Sequence, residues 1–418
     1  MTDGSLIALL VAVPFAGAAA GFALWSRPQA LKAWTLLVAF ASLAGLMTIV
    51  GRFDDPVTVP LFLPLLPLVA FLTLLGQPAH LDNRAAWLLT LVLLGLGLGV
   101  LAGEDGVGLI LLVLFFGLVG VLLYRYRSVS GAVPWWGIGT YGLGMVCAIV
   151  ALIAVPPVSS VVFLVSCAIL LPLVPFHGGY VAAFRGLPGN LPAFLAVLLP
   201  SLGFHGLLTL IPDLSESTVQ TLAILAVAGM LYGSLKALVQ SRVRLLLAYA
   251  NLSFYSILWW HVAATQTVLP QATVYLIAVG LVTGGFLLAW HAVQARYGDV
   301  DLRGIRGVAY LMPRFSILVF LLALAVIGLP PFGVYSGFMG LLLAPALPLS
   351  GALVVIIGTM LAACWYFLGL TQQLLFGPHR PDLRYEDLCF TEAAALVMIV
   401  VLLVALGVAP PVFWNPAS

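Results

Sequence analysis

Long apolar stretches recur along this 418-residue chain, and the short gaps between them hold nearly all of its charged residues. A helix that crosses a bilayer needs about 20 apolar residues. Lipid offers no partners to backbone N–H and C=O groups, so each such stretch has to satisfy them within a helix. With 63% hydrophobic and 7% charged residues, the composition also excludes a water-soluble globule.

The sequence therefore predicts an all-α polytopic membrane protein with about 14 transmembrane helices. We number these predicted helices as spans 1 to 14, and the segments between them as gaps 1 to 13. The spans are placed at 6–25, 31–50, 59–76, 86–103, 106–124, 133–155, 158–175, 191–211, 218–239, 245–265, 271–293, 312–341, 349–375 and 390–412.

The basic residues predict the orientation of the chain. Of the 16 Lys and Arg residues, all but Arg52 lie in odd-numbered gaps or their flanks. Cytoplasmic loops carry an excess of Lys and Arg, so the odd gaps are predicted to be cytoplasmic. Both termini then face outward, which an even number of spans requires. We expect a multi-pass protein of the cell (inner) membrane.

Several classes of function are disfavoured by the same pattern. No basic run suggests nucleic-acid binding, and the four cysteines show no spacing typical of metal or redox sites. No gap is long enough for a soluble domain, and no nucleotide, flavin or triad motif is present. We expect no cofactor, no metal and no catalytic site of the chain's own, which leaves enzyme status uncertain.

Spans 7 and 12 are both interrupted by prolines. Span 7 contains Pro172 and Pro175, and span 12 contains Pro330 and Pro331. Because proline has no N–H, each interruption frees backbone groups that should be buried in protein or line a wet cavity. The interruptions lie five spans apart, and an odd offset reverses direction. Spans 4–8 and 9–13 would then form two inverted five-helix repeats with broken helices 7 and 12; the alternative is two unrelated packing kinks.

This organisation predicts four segments. They are 1–80 with the N-terminal spans 1 to 3, 81–211 with the first repeat, 212–376 with the second repeat, and 377–418 with the C-terminal loop and span 14.

Ordered sequence motifs over about residues 100–418 point to a family. Residues 171–178 (LPLVPFHG), 240–253 (QSRVRLLLAYANLS) and 328–330 (GLP) resemble signatures of the antiporter-like membrane subunits of respiratory complex I, Mrp antiporters and membrane-bound hydrogenases. The segments FGPH at 376–379, DL at 382–383 and GVAP at 407–410, together with Glu392, are similar to the end of the chain M subtype of NADH-quinone oxidoreductase. The resemblance implies a proton-carrying fold within a larger complex.

The resemblance also shows what this chain lacks. Members of the family carry protons along charged residues at mid-membrane depth: a glutamate on helix 5, lysines on helices 7 and 8, and a lysine or glutamate on helix 12. Aligned on the motifs, these positions fall at Phe116 or Gly117, at Leu170, at Pro200 and at Phe338, and none of these residues can ionise. A charge in hydrocarbon is costly without titratable groups or water. We therefore expect the chain to keep the fold without the usual pumping mechanism.

A few polar residues remain as proton-path candidates, each with a structural alternative. His177 could cap the span 7 break, and His205 could be a neutral histidine bonded between helices. Lys236 could extend to the interface, and Glu392 could interact with the N-terminus of its own helix. A wet path through His177, His205, Ser201, Tyr335 and Ser336 is a further hypothesis.

Two functional hypotheses from different classes follow. The first is a chain M-like subunit of a complex I-type or related energy-converting oxidoreductase assembly, with a structural or modified coupling role and with other membrane subunits as partners. The alternative is the membrane component of a two-component ion or inorganic-carbon transporter. A third reading is an assembly or scaffold protein that transports nothing.

Overall fold

The computed structural model describes residues 3–48, 59–77, 83–103, 105–130, 134–267, 269–298, 301–302, 304–344, 351–377 and 386–409. Within these residues the chain is helical and contains no strand. It divides into two compact units. Unit 1 comprises residues 1–171 and 178–210, and unit 2 comprises residues 172–177 and 211–418.

Unit 1 is built from nine helices in the described part of the chain. They are α1 (Asp3–Phe22), α2 (Pro28–Met47), α3 (Val59–Leu75), α4 (Arg84–Ala102), α5 (Asp105–Ser130), α6 (Trp135–Ile153), α7 (Val158–Leu170), α8 (Gly178–Gly186) and α9 (Leu191–Leu210). Helix α9 is the core of the unit, since nearly all of its residues are buried. At its start, the Asn190 side chain donates a hydrogen bond to the Thr90 hydroxyl on α4, at 2.8 Å.

Small residues let the helices of unit 1 approach closely. A Cβ atom added to Gly97 would meet the Leu198 side chain of α9, and one added to Gly137 would meet Ala182 of α8. Such contacts are typical of helix pairs in membranes, where packing replaces the hydrophobic effect.

At the end of α3 the Lys32 ammonium donates to the carbonyls of Leu75 and Gln77, which places a cation at a helix C-terminus.

Unit 2 contains eight helices in its described residues. They are α10 (Glu216–Leu238), α11 (Val243–Thr265), α12 (Pro270–Tyr297), α13 (Val308–Leu311), α14 (Pro313–Val326), α15 (Gly333–Leu342), α16 (Gly351–Leu375) and α17 (Phe390–Val408). Helices α11 and α12 are the core, buried along most of their length. Gly337 of α15 lies directly against the Tyr275 backbone of α12, where any side chain would clash.

Nine helices of the described chain are long and apolar enough to cross a membrane: α2, α4, α5, α6, α9, α10, α12, α16 and α17. The predicted all-α polytopic class is confirmed. The number of 14 spans is not, and it stays a prediction, as does the division into four segments.

The two predicted interruptions are real breaks in helices. In span 7 the helix α7 ends at Leu170 and the chain becomes helical again only at Gly178, where α8 begins, beyond the predicted end of the span; span 12 is divided into α14 and α15. Helix α7 has 13 residues and α14 has 14. At roughly 1.5 Å per residue each reaches only about 20 Å, so neither crosses an apolar layer of about 30 Å alone.

Candidate functional site

An aromatic ring occupies the position that the sequence motifs predict to correspond to the helix 5 acid. Phe116 of α5 is buried, and its ring centroid lies 6.1 Å from that of Tyr141 on α6. The same ring occupies the space beside Gly144, where a Cβ would overlap it. A carboxylate at this position would have to replace a ring packed between two helices.

The other three positions predicted to lack a charge also carry apolar side chains that are buried or half-buried. Leu170 is the last residue of α7 and is buried, and Pro200 is buried within α9. Phe338 of α15 is half-buried, with its ring centroid 6.3 Å from that of Tyr275. Each position is part of the packing of its own unit.

Two of the predicted proton-path residues lie on either side of one tyrosine. The His177 ring, in the span 7 break, lies 5.3 Å from the Tyr232 ring on α10 and 6.3 Å from the Tyr249 ring on α11. The Lys236 ammonium lies 5.7 Å from the centroid of the same Tyr232 ring. All four side chains belong to unit 2, and His177 is nearly buried whereas Lys236 is exposed. Tyr232 was missed in the sequence, although its spacing of four residues from Lys236 puts both on one helix face.

The 240–253 motif forms hydrogen bonds between helices of unit 2. Asn251 of α11 accepts a hydrogen bond from the Thr283 hydroxyl of α12 at 2.8 Å, with both side chains buried. The hydroxyls of Ser253 and Ser234 lie 2.8 Å apart and join α11 to α10. At the α11 start, Arg244 donates to the side chain of Gln294 at 2.9 Å. The first two contacts are uncharged and the third has a charged donor, and all three satisfy polar groups where lipid and apolar side chains cannot.

Glu392 is engaged within its own unit. Both of its carboxylate oxygens accept hydrogen bonds from the Arg296 guanidinium, at 2.7 and 3.2 Å. One oxygen also accepts from the Cys389 backbone N–H at 3.0 Å, in a capping box at the start of α17. Arg296 additionally donates to the carbonyls of Glu386 and Asp387. The sequence indicated that Glu392 interacts with the N-terminus of its own helix, but it did not indicate Arg296 as a partner, because Arg296 and Glu392 are 96 residues apart.

His205 belongs to unit 1, where it lines a cavity of about 270 Å³ that also reaches Leu170. Ser201, from the hypothetical wet path, is buried and donates to the Val197 carbonyl of its own helix. Tyr335 and Ser336 lie on α15 of unit 2, with Tyr335 exposed. Whether any of these residues carries a proton stays a prediction.

No group of three His, Cys, Asp or Glu residues in the described ranges is arranged to hold a metal ion.

The two breaks differ in burial. Residues 171–173 and His177 of the first break are buried. The second break is covered on one side, where Gly407 of α17 lies directly against the Pro331 carbonyl. Leu329, Pro330 and Pro331 are nevertheless exposed in the single chain.

A profile described as NADH:quinone oxidoreductase/Mrp antiporter, TM, matches residues 143–364, which is more than half of the chain. NADH-quinone oxidoreductase subunit M of Rickettsia typhi is 25% identical over 251 residues, covering 58% of this chain and 51% of that protein. The Pseudomonas aeruginosa subunit M is 26% identical over 253 residues, covering 59% and 50%. The chain spans about half the length of the curated relatives that it matches.

Solved structures show the same fold. A chain of respiratory complex I from Thermus thermophilus superposes with a TM-score of 0.74 at 23% identity, covering 97% of this chain and 98% of that one. A chain of the Mrp complex from Dietzia sp. gives a TM-score of 0.81 at 18% identity, covering 99% and 96%. At these identities the likeness concerns the fold alone.

Proposed function

Because this chain belongs to the NADH:quinone oxidoreductase/Mrp antiporter transmembrane family, we propose that it is a chain M-like membrane subunit of a complex I-type or related energy-converting assembly. Its role there is structural, or it is a modified coupling role that does not use the family's usual series of charged residues. It resides in the cell (inner) membrane with the odd gaps in the cytoplasm and both termini outward, as the distribution of basic residues favours.

The packing at the four missing charges supports the absence of the usual proton line. Phe116, Leu170 and Pro200 are buried, and the Phe116 ring packs against Tyr141 and Gly144 of α6, so a carboxylate has no ready-made space at that position. The buried contacts of Ser234 with Ser253 and of Thr283 with Asn251, which join α10 to α11 and α11 to α12, are neutral. Such contacts hold helices together, which is what a structural subunit requires of them.

The second helix break carries the proposal of a membrane partner. Pro330 and Pro331 have no N–H to donate to the carbonyls of Val326 and Ile327, four residues earlier. Val326 is buried and the Ile327 carbonyl accepts from the Cys364 thiol at 4.0 Å, but the irregular backbone at 329–331 is exposed in the single chain, with Leu329 42% exposed. Irregular backbone at membrane depth is tolerated only where protein or water covers it. A neighbouring membrane subunit seated on residues 328–331 supplies that cover.

The proposal is tested by purifying the tagged protein from its own membranes in a gentle detergent and identifying the attached proteins by mass spectrometry. We expect other membrane subunits, with the soluble subunits of an oxidoreductase. A tagged, unrelated multi-pass protein purified in parallel identifies chance contaminants. Recovery of a single soluble partner would instead favour the two-component transporter, and recovery of the chain alone would contradict the assembly.

A further inference from the structure

The end of α5 and the start of α6 carry a cluster of basic and aromatic side chains. We call it the α5–α6 patch and define it as Tyr124, Arg125, Arg127, Trp135 and Trp136. The Cζ atom of Arg127 lies over the Trp135 ring, 3.7 Å from its centroid, and the centroid of the Tyr124 ring lies 6.1 Å from the same point. Tyr124, Trp135 and Trp136 are 62%, 59% and 52% exposed, and Arg125 is exposed as well. The patch therefore lies on the surface of unit 1.

The sequence around the patch is basic without any acidic residue. No Asp or Glu occurs between residues 106 and 212, whereas Arg125, Arg127 and Arg185 all fall in this stretch. Cations that are concentrated without countercharges create a positive potential, which attracts anions.

Helix α8 brings the third arginine to the same end of the unit. A Cβ at Gly179 would meet Thr140 of α6, and one at Gly137 of α6 would meet Ala182. Residue numbers thus rise along α8 as they fall along α6, so the two helices run antiparallel. Arg185, about one turn after Ala182, is then level with the start of α6. The positive charge of this stretch is therefore concentrated at the end of the unit that carries the patch.

A recessed apolar face of α6 leads away from the patch. We call it the α6 groove and define it as Trp135, Gly139, Gly142, Val146 and Ile149, which are all exposed. Their spacings of four and three residues belong to one helix face. A Cβ at either glycine would meet no atom of the described chain within 4 Å, so the face is open between Trp135 and Val146. These two residues are about 16 Å apart at the helical rise.

We propose that the α5–α6 patch and the α6 groove bind one anionic phospholipid, with its phosphate beside Arg125 and Arg127 and one acyl chain along the groove. Basic residues at the edge of a membrane attract anionic headgroups, and Trp and Tyr side chains reside at the same level. Arginine donates several N–H groups to phosphate oxygens. An acidic segment of a protein would pair with the arginines but offers nothing to the apolar groove. The site lies within unit 1 and does not depend on the proposed assembly.

The headgroup part of the site is tested by native mass spectrometry of the delipidated full-length protein. Phosphatidylglycerol and phosphatidylcholine with identical acyl chains are titrated separately, and the affinity for the first bound lipid is compared. We expect phosphatidylglycerol to bind at least about tenfold more tightly. Arg125→Gln with Arg127→Gln should remove this preference and weaken phosphatidylglycerol by roughly twentyfold to thirtyfold, from about fivefold for each arginine.

A second pair of arginines supplies the matched control. Arg242 and Arg306 are exposed residues of unit 2, so Arg242→Gln with Arg306→Gln removes the same net charge away from the patch. This control should leave the affinity for phosphatidylglycerol unchanged. Arg125→Lys with Arg127→Lys keeps the charge and should retain most of the preference, and thermal unfolding of each variant verifies that it is folded.

Filling the groove tests the acyl-chain part of the site. Gly139→Leu places a side chain in the path of the acyl chain and should weaken both lipids by a similar factor. Gly358→Leu is the control, because Gly358 is an exposed glycine of α16 whose Cβ would also meet no described atom within 4 Å. It should leave both affinities unchanged.

Equal binding of the two lipids, or equal losses in the patch and control arginine variants, would overturn the proposal, since the attraction would then be unselective. A photo-crosslinking amino acid at Val146 decides between lipid and protein in native membranes. We expect it to link to phospholipid. A link to another protein instead would show that this face is covered by a subunit, and the lipid site would be refuted.

Discussion

At the scale of single residues, the strongest electrostatic contact in the described chain joins Arg296 and Glu392. The carboxylate is 3% exposed and accepts two hydrogen bonds from the guanidinium. Removing one partner of a buried pair leaves an uncompensated charge, which destabilises by about 3–5 kcal/mol before protonation relieves part of it. We expect Arg296→Met to lower the thermal unfolding midpoint of the detergent-solubilised protein clearly.

The pair of Arg242 and Asp301 provides the matched control. It belongs to the same unit, its charged atoms are 3.6 Å apart, and its side chains are 53% and 51% exposed. Exposed pairs contribute about 0–1 kcal/mol, so Arg242→Met should change the midpoint little. The double variant Arg296→Met with Glu392→Leu should recover part of the loss, because it no longer buries a lone charge. Equal effects of Arg296→Met and Arg242→Met would contradict this account.

A lysine restored at Leu170 should not restore proton transport. Leu170 is buried at the end of α7, and the position of the family's helix 5 acid is occupied by the packed Phe116 ring. Burial without an acid partner favours the neutral form of a lysine, so a lone lysine there does not supply the missing charge. We expect Leu170→Lys in liposomes to take up protons no faster than Leu170→Met, as measured with an entrapped pH-sensitive dye. Faster uptake by the lysine variant would overturn the view that several losses act together.

At the scale of elements, the two broken helices were predicted from stretches that combine prolines with glycines, at 172–179 and 328–337. Proline alone is not sufficient, since Pro64 and Pro67 lie inside the continuous helix α3 and Pro200 lies inside α9. The pairing of His177 with Tyr232 and the bond between Thr283 and Asn251 could not be predicted in the same way. They depend on which helix faces meet, and nearly uniform apolar stretches such as α12 leave that undefined. The close helix contacts that glycines such as Gly337 permit could not be predicted either, because they depend on which helix lies beside the glycine.

Gly407 provides a test of the close contact between α17 and the second helix break. A Cβ there would overlap the Pro331 carbonyl in the second break, so Gly407→Ala has to displace either α17 or the break. Overpacking of this kind costs about 1–3 kcal/mol. Gly358 lies within α16, and a Cβ there would meet nothing within 4 Å. Gly358→Ala should therefore be neutral or slightly stabilising, and comparable unfolding midpoints for the two variants would be the contradicting result.

At the scale of the whole molecule, family and fold were predictable because ordered motifs and the spacing of charges extend over the chain. The surface that meets a partner was not, since apolar side chains facing lipid and those facing another subunit look alike in sequence. Leu361 of α16 is 66% exposed, but its backbone is hydrogen-bonded within a regular helix, so it can face lipid without a further hydrogen-bond partner. Leu329 differs because it lies where Pro330 and Pro331 interrupt the hydrogen bonding.

That difference predicts where a neighbouring subunit sits. A photo-crosslinking amino acid placed at Leu329 should link to another membrane protein in native membranes, because the exposed irregular backbone at 329–331 needs protein or water beside it. The same amino acid at Leu361 should link mainly to lipid. Immunoblotting of the tagged chain after illumination shows a shift in mass for the first site, and mass spectrometry identifies the partner. Links to lipid alone at both sites would mean that water or the chain itself covers the break, and the assembly would then require a different contact surface.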